Sequence, residues 1–93
     1  MIKSFRCKET ELIFNKQSSR RFPSFIHHAA YRKLMILHHA KDIRDLKALS
    51  GNCYEELSAD RKGQLSIRIN DQYRLCFTWH QCDAYDVEII DYH

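Results

Sequence analysis

The sequence predicts an α+β domain in which helices placed early in the chain cover one face of a C-terminal antiparallel sheet. Three observations carry that reading. Ile26, Ala30, Leu34 and Leu37 recur at the three-to-four spacing of a buried helical stripe. Residues Gly63 to Trp79, GQLSIRINDQYRLCFTW, alternate apolar and polar side chains on either side of a polar break, as a half-buried hairpin does. Tyr85, Val87 and Ile89 then repeat the alternation as a last strand.

Taken in order, Ile2 to Phe5 is a short candidate strand, and Thr10 to Lys16 a short helix with Leu12, Ile13 and Phe14 to bury. The run Ser18-Ser19-Arg20-Arg21-Phe22-Pro23 breaks it. Ser24 is placed to cap the long helix that follows, and Ile43 and Leu46 extend its stripe. Lys41 to Lys47, KDIRDLK, alternates charge as a solvated face would, and Ser50-Gly51-Asn52 ends the helix. Asn52 to Leu57 reads as a short strand or turn, and Asp60-Arg61-Lys62-Gly63 as the polar turn that opens the hairpin.

Parity fixes the hairpin register. Leu65, Ile67 and Ile69 form one face of its first strand, and Tyr73, Leu75, Phe77 and Trp79 one face of its second. For both faces to meet the same core, facing residues must share parity, so the loop is odd, most simply Asn70-Asp71-Gln72. Ile69 then faces Tyr73, and Arg68 faces Arg74. Like charges directly opposite on a sheet are destabilising, so the pair points to an anion. The second face, with Ser66, Arg68, Asn70, Arg74 and Thr78, is expected to be polar. Glu88, Ile90 and Tyr92 join it if the last strand keeps parity, whereas Asp91 and His93 have the opposite parity.

The composition narrows the classes. A chain of 93 residues is expected to form one domain, 1–93, with a single modest core. Hydrophobic content of 44%, two glycines and one proline describe an ordered chain rather than a disordered one. No apolar stretch approaches the roughly 18 to 20 residues that span a bilayer, and no signal-peptide core follows Met1 to Phe5, so a cytoplasmic protein is expected. The net charge of +3 fits an acidic partner or nucleic acid.

Metal chemistry is not expected. Cys7, Cys53, Cys76 and Cys82 include no pair at zinc-ribbon or redox spacing and are read as reduced thiols. The pairs His27-His28 and His38-His39 lie roughly 16 Å apart along a helix, too far to converge on one ion. Arg20, Arg21, Arg32, Lys33, Lys41 and Arg44 form either a solvated basic face or a stripe that docks on RNA.

Two readings of Arg68 and Arg74 stay open at this point. They pair with Glu88, Asp86 or Glu55 on the same sheet, or they clamp a phosphate and stabilise charge developing on its oxygens. In the second case Tyr92 and His93 supply proton-transfer or stacking groups, and a carboxylate at His93 favours its protonated form.

The run DRKGQLSIRINDQYRLCFTW, Asp60 to Trp79, and the ending VEIIDYH, Val87 to His93, closely resemble the HigB toxins of the RelE/ParE superfamily. MIKSF at the start and RKLMILHHAKDIRDLKAL, Arg32 to Leu49, resemble them too, so the likeness covers nearly the whole chain. The resemblance implies a RelE-like, microbial-ribonuclease-type fold. It implies an mRNA interferase that acts in the ribosomal A site and is held inactive by a helix-turn-helix, HigA-type antitoxin. Its chemistry is metal-free: a 2'-hydroxyl attacks the adjacent phosphate and the 5'-oxygen leaves.

Carried over by position, Arg74 matches the family's phosphate arginine, Arg68 its strand pattern, and Asp91, Tyr92 and His93 its functional terminus. Gln72 stands where related toxins carry asparagine, and with Asn70, Arg61 and Lys62 is expected to contact RNA. One departure matters. Where some members read H-P-L-K before the hairpin, this chain has Glu55-Glu56-Leu57-Ser58. Glu55 then replaces a histidine as candidate base, and Ser58 replaces a lysine and brings no charge. The resemblance therefore implies a ribosome-dependent endoribonuclease without cofactor. A gyrase-poisoning ParE-like toxin and a catalytically silent docking module are the alternatives.

Overall fold

A computed structural model describes residues 1–57 and 63–91. Three helices, α1 Lys8–Phe14, α2 Ser24–His39 and α3 Ile43–Lys47, lead through a 3-10 turn at Ser50–Asn52 into strands β1 Glu55–Glu56, β2 Leu65–Arg68, β3 Tyr73–His80 and β4 Asp83–Asp91. Among the described residues these strands form one antiparallel sheet in the order β1-β2-β3-β4. The α+β fold with early helices and a late sheet is therefore the one expected.

The helices depart from expectation in their bounds. α1 starts two residues earlier than Thr10 and stops at Phe14, with Lys16 beyond it at φ 60°. Thr10 turns inward, and its Oγ1 accepts a 3.0 Å bond from the Ile89 N–H, tying α1 to β4. The α2 cap is Pro23 rather than Ser24, which is the first helical residue; φ of −57° suits the proline ring. Ile26, Ala30, Lys33, Leu34 and Leu37 are its buried stripe.

The long helix does not run on through Leu46. It breaks at Ala40, and Asp42 starts α3 with a reciprocal cap. The Asp42 carboxylate accepts from Arg44 N at 2.9 Å, and Asp45 Oδ2 accepts from Asp42 N at 3.2 Å. Side-chain oxygens that satisfy free helical N–H groups make a new start cheaper than continuation. The charges of KDIRDLK, read as a solvated face, are therefore partly caps.

The hairpin register is the predicted one: Leu65↔Phe77, Ser66↔Cys76, Ile67↔Leu75 and Arg68↔Arg74. Asn70 closes the loop, its Oδ1 accepting from Gln72 N at 2.9 Å and Tyr73 N at 2.8 Å. β4 behaves differently. Thr78 faces Tyr85 while Cys76 faces Glu88, so one extra residue is inserted, and Asp86 there has φ 53°. The bulge flips parity. Ala84, Val87 and Ile89 face the core, and Tyr85, expected there, does not join the buried set. The expected N-terminal strand exists only as two parallel bridges to β4, Ile2↔Ala84 and Phe5↔Val87.

The core lies between α2 with its neighbours and the odd-numbered face of the hairpin. Ile26, Leu34, Leu37 and Leu46 meet Ile67, Leu75, Phe77 and Val87, all inaccessible to solvent. Each such side chain contributes about 1.5–3 kcal/mol by burial. The opposite hairpin face, expected to be polar, carries Ser66, Arg68 and Arg74. Ser66, Arg74 and Cys76 are also buried. β1 extends the sheet beside β2, and the Cys53 carbonyl just before it reaches Arg74.

Candidate active site

Arg74 is the centre of the arrangement. Only 8% of it is exposed, and its guanidinium is held from three directions. Nε donates to Ser66 Oγ at 2.9 Å, Nη2 donates to the Cys53 carbonyl, and Nη1 lies 3.8 Å from Glu55 Oε1. The first two bonds set the plane of the group, and the third contact is an ion pair longer than a hydrogen bond. Glu55 itself is exposed. It is one of the sheet carboxylates considered as partners of Arg74. Asp86 sits instead at the β4 bulge, where its N–H bonds to Ser4 Oγ.

Cys53 reaches its position by taking φ 43°, in the left-handed region that costs a non-glycine residue about 1–2 kcal/mol. That conformation accompanies the carbonyl that meets Arg74. Arg68, directly opposite in register, is far less constrained. Its side chain is 39% exposed and bonds to the Asp71 carboxylate, itself almost fully exposed. Such a pair is worth about 0–1 kcal/mol and separates readily when a stronger anion arrives.

Lys33 adds a third cation. It was expected on an outer basic stripe, but it turns inward and is 5% exposed. Nζ donates to Asn52 Oδ1 at 2.6 Å and to the Gly51 carbonyl at 3.3 Å. Burial pushes its pKa below lysine's ordinary value; the charges of Arg32 and Arg68 push the same way, while Cys53 opposes them. The rest of the stripe, Arg20, Arg21, Arg32, Lys41 and Arg44, is exposed, and Arg44 pairs with Asp42.

The hairpin loop and the end of β4 meet beside the arginines. Asp91 faces Tyr73, one residue along from the Arg74↔Ile90 pair, and its Oδ2 accepts from Gln72 Nε2 at 3.1 Å. Asn70 spends its side-chain oxygen on the loop backbone. A cleft of about 340 Å³ follows, lined by Arg21, Phe22, Tyr73, Glu88, Ile89, Ile90 and Asp91. Tyr92, His93, Arg61, Lys62 and Ser58 lie outside the described residues. Among the described residues, no three His, Cys, Asp or Glu side chains converge as metal ligands. None of the four cysteines is in a disulfide among the described residues, and Cys76 is buried.

Sequence reasoning missed Ser66, Cys53 and Lys33 as parts of this site. Ser66 shares a face with Arg74, and Lys33 follows Ala30 by three residues on the inner stripe of α2, so both carried a periodicity signal. The Cys53 carbonyl is a backbone group and carried none.

The model of the HigB-like toxins, described as the RelE-like toxin of the type II toxin-antitoxin system HigB, matches residues 3–93. The chain belongs to the HigB-like toxin family. It is 41% identical over 80 residues to Toxin HigB-1 of Vibrio cholerae serotype O1 (strain ATCC 39315 / El Tor Inaba N16961), covering 85% of this chain and 84% of that protein. Among solved structures, YafQ from E. coli strain BL21(DE3) superposes with a TM-score of 0.60 over 98% of this chain and 93% of its own, at 8% identity. A YafQ point variant gives 0.58 with the same coverage and identity. At that identity the likeness speaks for the fold alone, and it is the RelE-like fold expected. As a HigB-like chain the protein is a toxin of a type II system, which implies an antitoxin partner. Among the described residues no helix of this HigB-like toxin is long and apolar enough to cross a membrane.

Proposed function

We propose that this HigB-like toxin is a ribosome-dependent endoribonuclease that cuts mRNA in the ribosomal A site. Residues 1–93 act as one cytoplasmic toxin domain, and a helix-turn-helix, HigA-type antitoxin holds it inactive. The observation that carries the reading is Arg74, a nearly buried guanidinium whose plane is set by Ser66 and Cys53, on the strand face where Arg68 stands directly opposite.

The reaction needs little else. The RNA 2'-oxygen forms a bond to the adjacent phosphorus, the bond from phosphorus to the 5'-oxygen breaks, and negative charge builds on the non-bridging oxygens between. Arg74, with Arg68 swinging from Asp71, stabilises that charge. Preorganised donors of this kind are worth about 100- to 1000-fold each. One of Glu55, Tyr92 and His93 takes the 2'-hydroxyl proton and another delivers a proton to the leaving 5'-oxygen. Asp91 holds Gln72 at the edge of the site. Asn70, Gln72, Arg61 and Lys62 frame the RNA.

A site with so few groups depends on alignment of the substrate. A ribosome that holds the codon in place supplies it, at effective molarities of about 10⁵–10⁸ M for well-oriented groups. Primer extension on a defined mRNA tests this, with and without programmed ribosomes. Discrete breaks that need ribosomes are the expected result. Absence of breaks with folded protein, or DNA-damage signalling without mRNA breaks after induction, would overturn the reading in favour of silent docking or gyrase poisoning respectively.

A further inference from the structure

Lys33 sits on the apolar stripe of α2 between Ala30 and Leu37, where a methionine or leucine would pack at no electrostatic cost. The charge is withdrawn from water, and its two bonds go to neutral oxygens, the Asn52 amide and the Gly51 carbonyl. Burying an ammonium against neutral acceptors is unfavourable for the fold. What the ammonium does there is local. It fixes the side chain of Asn52, which is fully buried and whose Nδ2 donates in turn to the Leu46 carbonyl at 3.0 Å. The turn is thereby held both to α2 and to α3. The next residue, Cys53, takes its left-handed conformation, and its carbonyl accepts from Arg74 Nη2.

We propose that Lys33 is a positioning residue for Arg74: by locking the Gly51-Asn52-Cys53 turn, its ammonium holds the Cys53 carbonyl where it orients the guanidinium. The inference rests on the proposed role of Arg74 toward phosphate for its functional consequence, but its structural half stands separately. Lys33 acts through the turn rather than on RNA, since its hydrogen bonds point inward. The chain links a residue of α2 to the hairpin through hydrogen bonds, and each member has a stated partner.

The test uses the full chain labelled with nitrogen-15. In the wild type, the Arg74 Nε–H signal, assigned by its loss in Arg74→Lys, is expected to lie apart from those of exposed arginines and to exchange slowly with water. Lys33→Met keeps the stem and removes the charge; its Arg74 signal is expected to move toward the exposed arginines while the amide signals of β3 and β4 stay in place. Lys33→Gln, polar but too short to reach Asn52, serves as the second variant if the methionine does not fold. Cleavage on programmed ribosomes should fall about 100-fold in the folded variant, the scale of a misplaced catalytic group. In an Arg74→Lys background it should fall little further. An Arg74 signal unchanged in a folded Lys33 variant overturns the proposal, as does a cleavage loss that persists in full without Arg74. If the wild type cuts no RNA, the ribonuclease reading fails while the Arg74 signal still decides the role of Lys33.

Discussion

Ile67, Leu75 and Phe77 lie on one face of the β2–β3 hairpin, and Ser66, Arg74 and Cys76 on the other; all six are buried. The first face is closed by helices that offer a broad apolar surface, so its members are bound by area and volume. On the second, Arg74 must find Ser66 Oγ, the Cys53 carbonyl and Glu55 at particular places. Burial of the first kind stabilises a fold by about 25 cal/mol for each Å² of apolar surface. Burial of the second kind adds little stability, because the cost of taking charge out of water offsets the attraction. One face holds the protein together, and the other holds a charge still.

That contrast can be broken by substitution. Phe77→Ala should give the largest loss of stability, about 3–5 kcal/mol, read from urea melts, because it empties the centre of the apolar face. Any loss of toxicity there should track the folded fraction. Arg74→Ala should do the reverse: growth inhibition and mRNA cleavage fall by about 100- to 1000-fold, while circular dichroism keeps its helix and sheet signal. Full toxicity in the folded variant would remove Arg74 from the site. Ser66→Ala lies between, since it takes one bond from a charged donor, worth about 1.5–3 kcal/mol. It should weaken cleavage and stability together.

Away from the hairpin, Asp42→Ala removes the α3 cap and should cost about 1 kcal/mol with cleavage per folded molecule unchanged. A pH effect completes the series. His38 Nδ1 accepts from the Ile2 N–H at 3.2 Å, so the ring is held neutral, and burial, then the charges of His39 and the N-terminus, push its pKa below 6.5. Below that value the unfolded chain binds a proton that the folded one resists. Stability should therefore be full above pH 6.5 and fall as pH drops from there toward the folded pKa. Thermal melts across that window should show a shallower fall for His38→Gln.

How much of this was legible in the sequence follows from the same contrast. The hairpin register could be read because a strand has a period of two and both apolar faces must meet one core, which left only an odd loop and put Arg68 opposite Arg74. The bulge at Asp86 could not, since a single inserted residue leaves the alternation of Tyr85, Val87 and Ile89 apparently intact. The break between α2 and α3 was hidden because Leu46 stays buried on either side of it; the signal present was Asp42 with Asp45 three residues on. The hold on Arg74 depends on a turn some twenty residues away in sequence delivering a backbone carbonyl to it. No local pattern encodes that. Arg74 was identifiable by its position, but its immobility was not.

The most direct test sets the two facing arginines against each other. Arg68→Ala and Arg74→Ala are compared with wild type by primer extension on one mRNA bound to programmed ribosomes, at matched concentrations of folded protein. If the charge that is held still carries the chemistry, Arg74→Ala loses at least about 100-fold and Arg68→Ala, whose side chain is free to leave Asp71, loses less. Equal losses, or a greater loss at Arg68, would contradict the account.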